Sequence, residues 1–196
     1  MTSGYRPLIA ISCGDPNGIG LEVTVKSLAE SDIELDFECA LFVPEVALRD
    51  HVLSLAGVDL PNVDVVPTAG AEMFETSFGQ TTALAGKLSM AAFEQAVDAC
   101  LTGHADAIVT APISKESIRL AGYNEPGHTE YLALASKTRN HVMMMVDNDF
   151  RVALVSAHVS LGRVAESITK NLVRDKLDVL IETLQLDFSI AAPRIA

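Results

Sequence analysis

The sequence predicts an α/β protein built on a mostly parallel sheet with flanking helices. Apolar, β-rich runs alternate with amphipathic segments, which is the rhythm of βαβ units. The composition is aliphatic, with 49% hydrophobic and 5% aromatic residues. The 196 residues suffice for one substantial core.

The first strand is predicted over Leu8 to Cys13 and the helix after it over about Ile19 to Ala29. Phe37 to Val43 and Val63 to Val66 follow as strands, separated by a helix over Val46 to Ala56. A longer helix spans Ala85 to Leu101, because Leu88, Ala92, Ala96, Val97, Cys100 and Leu101 form one stripe at helical spacing. Ala107 to Thr110 is a strand, and a short helix opens at Ser114. Past a turn at Pro126-Gly127 and its helix, Val142 to Val146 and Arg151 to Ala157 read as strands joined by Asp147-Asn148-Asp149. The last helix, about Thr169 to Leu186, carries Val173, Leu177, Leu180, Ile181 and Leu184 on one face. Pro193-Arg194-Ile195-Ala196 has the pattern of a strand just starting, as in a truncated or split chain, with a short terminal edge strand as the alternative.

A formal net charge of −12 argues against nucleic acid as a partner, since phosphate backbones are bound by clustered Lys and Arg. A small anion held by a few local donors remains compatible with it. Cys13, Cys39 and Cys100 are odd in number and set among apolar residues, which predicts buried free thiols in a reducing compartment. No basic-then-apolar leader is visible, and no apolar run approaches the roughly 18 residues that a membrane span needs. A soluble, cytoplasmic protein with no membrane partner is the expectation.

Four places carry candidate chemistry. Gly14-Asp15-Pro16-Asn17-Gly18-Ile19-Gly20 follows the first strand, but its glycine spacing is neither that of a dinucleotide fingerprint nor that of a P-loop. Asp15 is expected to cap nearby N–H groups in an Asx turn, the alternative being that it orients a ligand. Thr110-Ala111-Pro112-Ile113-Ser114-Lys115 follows another strand. Ser114 is a natural N-cap with Ser117 where a capping box would have Glu. Lys115 is a candidate for holding an anion or, if buried, for proton transfer.

Gly127-His128-Thr129-Glu130 opens a helix, where free N–H groups favour an anion. His158 closes the predicted strand, and ligands gather at strand ends in open α/β sheets. Taken alone, it reads equally as a buried imidazole or as a metal ligand. His51, His104 and His141 read as structural or exposed.

These motifs, in this order and spacing, resemble the 4-hydroxythreonine-4-phosphate dehydrogenase family of pyridoxal phosphate biosynthesis, over essentially the whole chain. The resemblance implies an isocitrate/isopropylmalate dehydrogenase-like fold, with two domains around a cleft and a homodimer. It places a first α/β domain at 1–125 and the start of a second, dimer-forming one at 126–196, with the C-terminal part absent. It further implies NAD or NADP and a divalent metal (Zn, Mg or Co) as cofactors. His128 and Thr129 match the substrate-binding pair, His158 matches one metal-binding histidine, and Lys115 is the catalytic candidate.

The family's remaining portion supplies two further metal histidines and much of the nucleotide-binding region. The implied reaction is oxidation and decarboxylation of 4-phosphohydroxy-L-threonine to 3-amino-2-oxopropyl phosphate, with the metal stabilising first an alkoxide and then an enolate. The family pattern usually has proline where this chain has Leu21 and Ser160, and related members act on sugar-acid phosphates or an aromatic cis-dihydrodiol. A non-catalytic dimerisation fragment is the rival from another class. An acyl-phosphate transferase of related fold has no place for the His-Thr pair.

Overall fold

A computed structural model describes residues 5–29, 37–54, 60, 63–124 and 127–196, the side chains of 51–54 excepted. Residues 55 and 56 of the second predicted helix, the His51 side chain and Pro126 lie outside the described residues. The chain divides into two compact units, Met1–Leu132 and Ala133–Ala196.

The first unit is a four-stranded parallel sheet. Strand β1 (Leu8–Ser12) pairs with β2 (Glu38–Val43) on one side and β4 (Ala107–Thr110) on the other, and β3 (Val63–Pro67) pairs with β2, giving the order β3-β2-β1-β4. The interior strands are near-continuous apolar runs, as expected of strands covered on both faces. Ala10, Cys39, Leu41 and Val43 of β1 and β2 are all but inaccessible to solvent.

Helix α1 (Gly20–Ala29) packs on α2 (Glu45–Ser54), while α3 (Ala83–Leu101) packs on β1, β2, β4 and the short α4 (Lys115–Leu120). The long helix starts where Thr82 caps it, accepting a hydrogen bond from the Ala85 N–H at 3.1 Å. Strand order reverses between β1 and β4. In open α/β sheets that is where a crevice forms outside the strand ends.

At one crossing, α3 and α4 come closer than two side chains permit. A Cβ on Gly86 would lie 2.0 Å from the Ser117 carbonyl oxygen and 2.7 Å from the Ile118 nitrogen, so α4 lies directly on the backbone of α3.

Helix α5 (His128–Ala135) begins in the first unit and ends in the second. The second unit holds an antiparallel pair, β5 (Met144–Asp147) and β6 (Phe150–Ala153), a 3-10 turn (Leu161–Arg163), α6 (Val164–Ser167) and the amphipathic α7 (Lys170–Leu186). Asn148, with φ of 50°, turns the hairpin. Thr169 caps α7 by accepting from the Leu172 N–H at 3.1 Å. The five apolar residues predicted on one face of α7 line a hollow of about 950 Å³ together with Val152, Leu154, Pro193 and Ile195.

Two predicted strands in this unit are corrected. The strand expected over Arg151 to Ala157 stops at Ala153, because its partner β5 begins only at Met144 and the last ladder contact is the Leu154 N–H to the Met143 carbonyl. Residues 155–157 have strand-like composition and no strand beside them among the described residues. Pro193 to Ala196 likewise form neither helix nor strand. His158 therefore lies five residues beyond the end of an antiparallel ribbon and does not end a strand of the parallel sheet.

Gly86→Ala is expected to destabilise the first unit by about 3 kcal/mol, the upper end of what overpacking costs, since both colliding groups are backbone. Urea unfolding followed by circular dichroism measures it, and a loss under about 1 kcal/mol would mean that the two helices can separate cheaply.

Candidate active site

The loops at the β1 and β4 ends are organised around Asp15, which is buried. One carboxylate oxygen accepts the Asn17 N–H at 2.9 Å, closing the Asx turn that the sequence predicts. The other accepts the Ser117 hydroxyl at 3.0 Å, from a residue 102 positions away on α4. The Asp15 N–H donates to the Pro112 carbonyl at 2.9 Å, tying the loops after β1 and β4 directly together.

Gly14 makes this approach possible. Its φ is +73°, and a Cβ there would lie 2.2 Å from the Pro112 oxygen. Asn17, also buried, receives the Ser77 N–H on its side-chain oxygen at 2.8 Å and donates to the Gln80 carbonyl at 3.0 Å. The segment from Ser77 to Gln80 is thus pinned to the glycine turn.

Ser114 caps α4 as predicted, accepting from the Ser117 N–H at 3.1 Å. The incomplete capping box has a packing reason. The Ser117 side chain is fully buried, which leaves no exit to water for a glutamate, and its hydroxyl is committed to Asp15. Lys115 is exposed, which removes the burial that a proton-transfer role would draw on and leaves it to hold charge. A Cβ on Gly127 would lie 3.8 Å from the Lys115 Cε and 3.4 Å from a Glu130 carboxylate oxygen. The lysine stem therefore reaches the entrance of α5.

His128 and Thr129 are the first two residues of α5, both half-buried. The His128 ring packs edge-on to Phe93 of α3 at 4.8 Å between centroids, and Phe93 meets Tyr131 at 5.1 Å. Its Nε2 is buried with no hydrogen-bond partner. Burial holds the imidazole below the usual histidine range, so it is neutral near pH 7. Because the unfolded chain takes up this proton first, the associated stability is full above about pH 6.5 and is lost as pH falls below that value towards the lower pKa of the folded imidazole.

His158 lies in the second unit, exposed and with a φ of 58°, a conformation that non-glycine residues seldom adopt. The first unit thus brings Asp15, Ser114, Lys115, His128 and Thr129 to one region, and His158 belongs to a different unit, outside either sheet. Among the described residues, no three His, Cys, Asp or Glu side chains converge as a metal set. The described residues do not by themselves fit a complete metal site. His104 is exposed and its Nδ1 pairs with the Thr102 hydroxyl at 2.8 Å, and His141 is exposed, as predicted for both.

All three cysteines are free. Cys13 and Cys39 are buried as expected, whereas Cys100 is half-buried. Burial pushes the Cys13 thiol up to about 12, which disqualifies it as a nucleophile at neutral pH. Sequence reasoning missed three residues here, namely Asn17, Ser117 and Phe93. Asn17, inside the glycine turn, and Ser117, noted only as the incomplete capping-box position, stood in segments already singled out.

A family model described as pyridoxal phosphate biosynthetic protein PdxA matches residues 22–196. A curated 4-hydroxythreonine-4-phosphate dehydrogenase from Nostoc sp. is 33% identical over 98% of this chain and 57% of its own length. One from Bacteroides thetaiotaomicron is 34% identical over 96% of this chain and 55% of its own. The chain therefore spans little more than half the length of these relatives. The crystal structure of a 4-hydroxythreonine-4-phosphate dehydrogenase from Burkholderia phymatum superposes with a TM-score of 0.81 at 29% identity, covering 97% of this chain and 61% of that one. A terephthalate 1,2-cis-dihydrodiol dehydrogenase from Burkholderia xenovorans shares the fold, with a TM-score of 0.63 at 23% identity over 96% of this chain and 60% of that one. No helix among the described residues is long and apolar enough to cross a membrane.

Asp15→Ala leaves the Ser117 hydroxyl buried without an acceptor and is expected to cost about 1.5–3 kcal/mol, the range for hydrogen bonds to a charged group. A double-mutant cycle with Ser117→Ala, read by denaturant unfolding, should return most of that as coupling. Purely additive losses would show that the contact carries no energy.

Proposed function

We propose, from the premise that this chain belongs to the family of pyridoxal phosphate biosynthetic protein PdxA, that it carries the substrate-gripping part of an NAD(P)-linked dehydrogenase acting on 4-phosphohydroxy-L-threonine. In that reaction the hydroxyl-bearing carbon gives hydride to the nicotinamide and the hydroxyl proton passes to a base. The resulting keto acid loses carbon dioxide to leave 3-amino-2-oxopropyl phosphate. The observation that carries the reading is the α5 entrance, where a neutral imidazole with a buried, unspent Nε2, a threonine and a lysine stem meet.

His128 and Thr129 hold the anionic end of the substrate beside the N–H groups of the first helical turn. Lys115 adds a solvated positive charge. The carboxylate of Asp15 acts at a distance, by fixing α4 and hence Lys115. His158 contributes one imidazole to a divalent metal, such as zinc, magnesium or cobalt, whose other ligands come from outside the described residues. A homodimer in the cytoplasm, with no nucleic acid or membrane partner, completes the reading, and three free thiols are consistent with that compartment. A non-catalytic binding or dimerisation part is the second reading, favoured by the lack of a three-ligand group among the described residues.

The assay mixes the chain with NAD or NADP, a divalent metal and 4-phosphohydroxy-L-threonine, in parallel with a sugar-acid phosphate and an aromatic cis-dihydrodiol. Reduced cofactor is followed by absorbance and binding by calorimetry. Preference for the hydroxythreonine phosphate is expected, with Thr129→Ala weakening it by about 2–10-fold, the worth of one net hydrogen bond. Binding without reduction selects the non-catalytic reading, and neither binding nor reduction sinks the proposal.

His158 permits a cleaner test, because glycine removes the imidazole and relieves the left-handed backbone together. His158→Gly is expected to keep thermal stability within about 1 kcal/mol while weakening zinc binding measured by calorimetry. Unchanged zinc affinity would remove His158 from the ligand set.

A further inference from the structure

We propose that Phe93 is a positioning residue of this site, its buried ring docking His128 and Tyr131 on α3 so that the imidazole is held in one orientation. This rests on the reading of α5 as the substrate-gripping helix. Phe93 is fully inaccessible to solvent on α3, in the apolar row that faces the rest of the first unit. It meets two rings at once, His128 at 4.8 Å and Tyr131 at 5.1 Å, with interplanar angles of 70° and 55°. Those two residues are three apart on α5 and so share one helical face. Edge-on and tilted ring contacts are directional, and contact on two rings fixes the rotation of α5 about its axis as well as the plane of the imidazole.

The consequence lies in Nε2 of His128, which is buried yet has no protein partner. A buried polar atom left without a partner is unfavourable, and an unconstrained side chain would turn it towards water. Phe93 blocks that escape. The nitrogen stays available for a polar group of the incoming anion, and the hydrophobic wall around the ring keeps it uncharged until then. The charged groups at the same entrance are Lys115 of α4 and Glu130 of α5, close to Gly127. They act on the imidazole with opposite signs.

The test uses the 196-residue chain with labelled histidine and inorganic phosphate as the probe. Magnetisation transfer between the Phe93 and His128 ring protons is expected in the unmutated chain, and its absence overturns the proposal without any variant. In Phe93→Leu, which stays apolar, the His128 imidazole should titrate closer to an ordinary histidine, and phosphate affinity should fall by about 2–10-fold, one hydrogen bond's worth. Phe93→Tyr, which keeps a ring, should preserve both.

A folded Phe93→Leu chain with unchanged His128 titration and unchanged phosphate affinity overturns the assignment. His128→Ala separates the two ideas. If it leaves phosphate affinity intact, the gripping role of α5 falls, while a changed titration in Phe93→Leu would still establish the ring's hold on the imidazole. Should Phe93→Leu fail to fold, Tyr131→Leu loosens the same dock from the less buried side and is expected to shift the His128 titration in the same direction.

Discussion

Asp15 joins two stretches of chain that are remote in sequence, the glycine turn and the loop and helix that follow β4. One oxygen folds the glycine turn after β1 upon itself, and the other takes the Ser117 hydroxyl of α4, while the residue's own N–H holds the loop after β4. A buried carboxylate is costly unless its acceptor capacity is filled, so these donors are required as well as stabilising. Once they are in place, the position of α4 has little freedom left. Its backbone already lies on Gly86 of α3, where no side chain would fit. Ser114 caps the helix, and Lys115 follows as its first residue.

In the proposed grip, different elements supply the two kinds of anion-directed chemistry at the α5 entrance. From α4 comes an exposed ammonium, a charge whose attraction does not depend on detailed geometry. From α5 comes a half-buried, neutral imidazole, whose contribution depends on orientation because it acts through a hydrogen bond. Rigidity matters for the second far more than for the first, and the structure distributes it accordingly. The lysine stem passes Gly127 with its end in solvent, whereas the imidazole is wedged against a fully buried aromatic ring. His158, in the second unit, carries a different form of constraint, a left-handed backbone that costs about 1–3 kcal/mol and persists only where surrounding structure over-determines it.

The parallel sheet was legible because its strands are covered on both faces, which writes a nearly unbroken apolar run into Leu8–Ser12 and Glu38–Val43. The Ser114 cap was legible for a local reason, since it acts on an N–H three residues ahead. The strand through Ala157 was not, because apolar alternation does not reveal whether a partner strand exists to pair with it. Among site residues, His128, Thr129 and Lys115 stood out by sitting at helix entrances after loops. Ser117 and Phe93 did not. A serine in a short helix and a phenylalanine in a long one carry no mark of their purpose, which lies in contacts with Asp15, 102 positions earlier, and with His128, on another helix.

A net charge of −12 sets a problem for the proposed binding of a phosphate ester. Screening limits the reach of the distant carboxylates, because at physiological ionic strength exposed charges more than about 8 Å away are largely masked. What decides binding is therefore the balance within a few ångströms of the α5 entrance. There Glu130 opposes an anion, while the helix N–H groups, Lys115 and Thr129 favour one. An exposed helix end contributes only about 0.3–1 kcal/mol towards an anion, so it cannot overcome a neighbouring carboxylate unaided. The specific donors must supply the difference. An imidazole that is neutral, oriented and without a competing protein partner is suited to that role, because it offers a hydrogen bond without requiring another to be broken first.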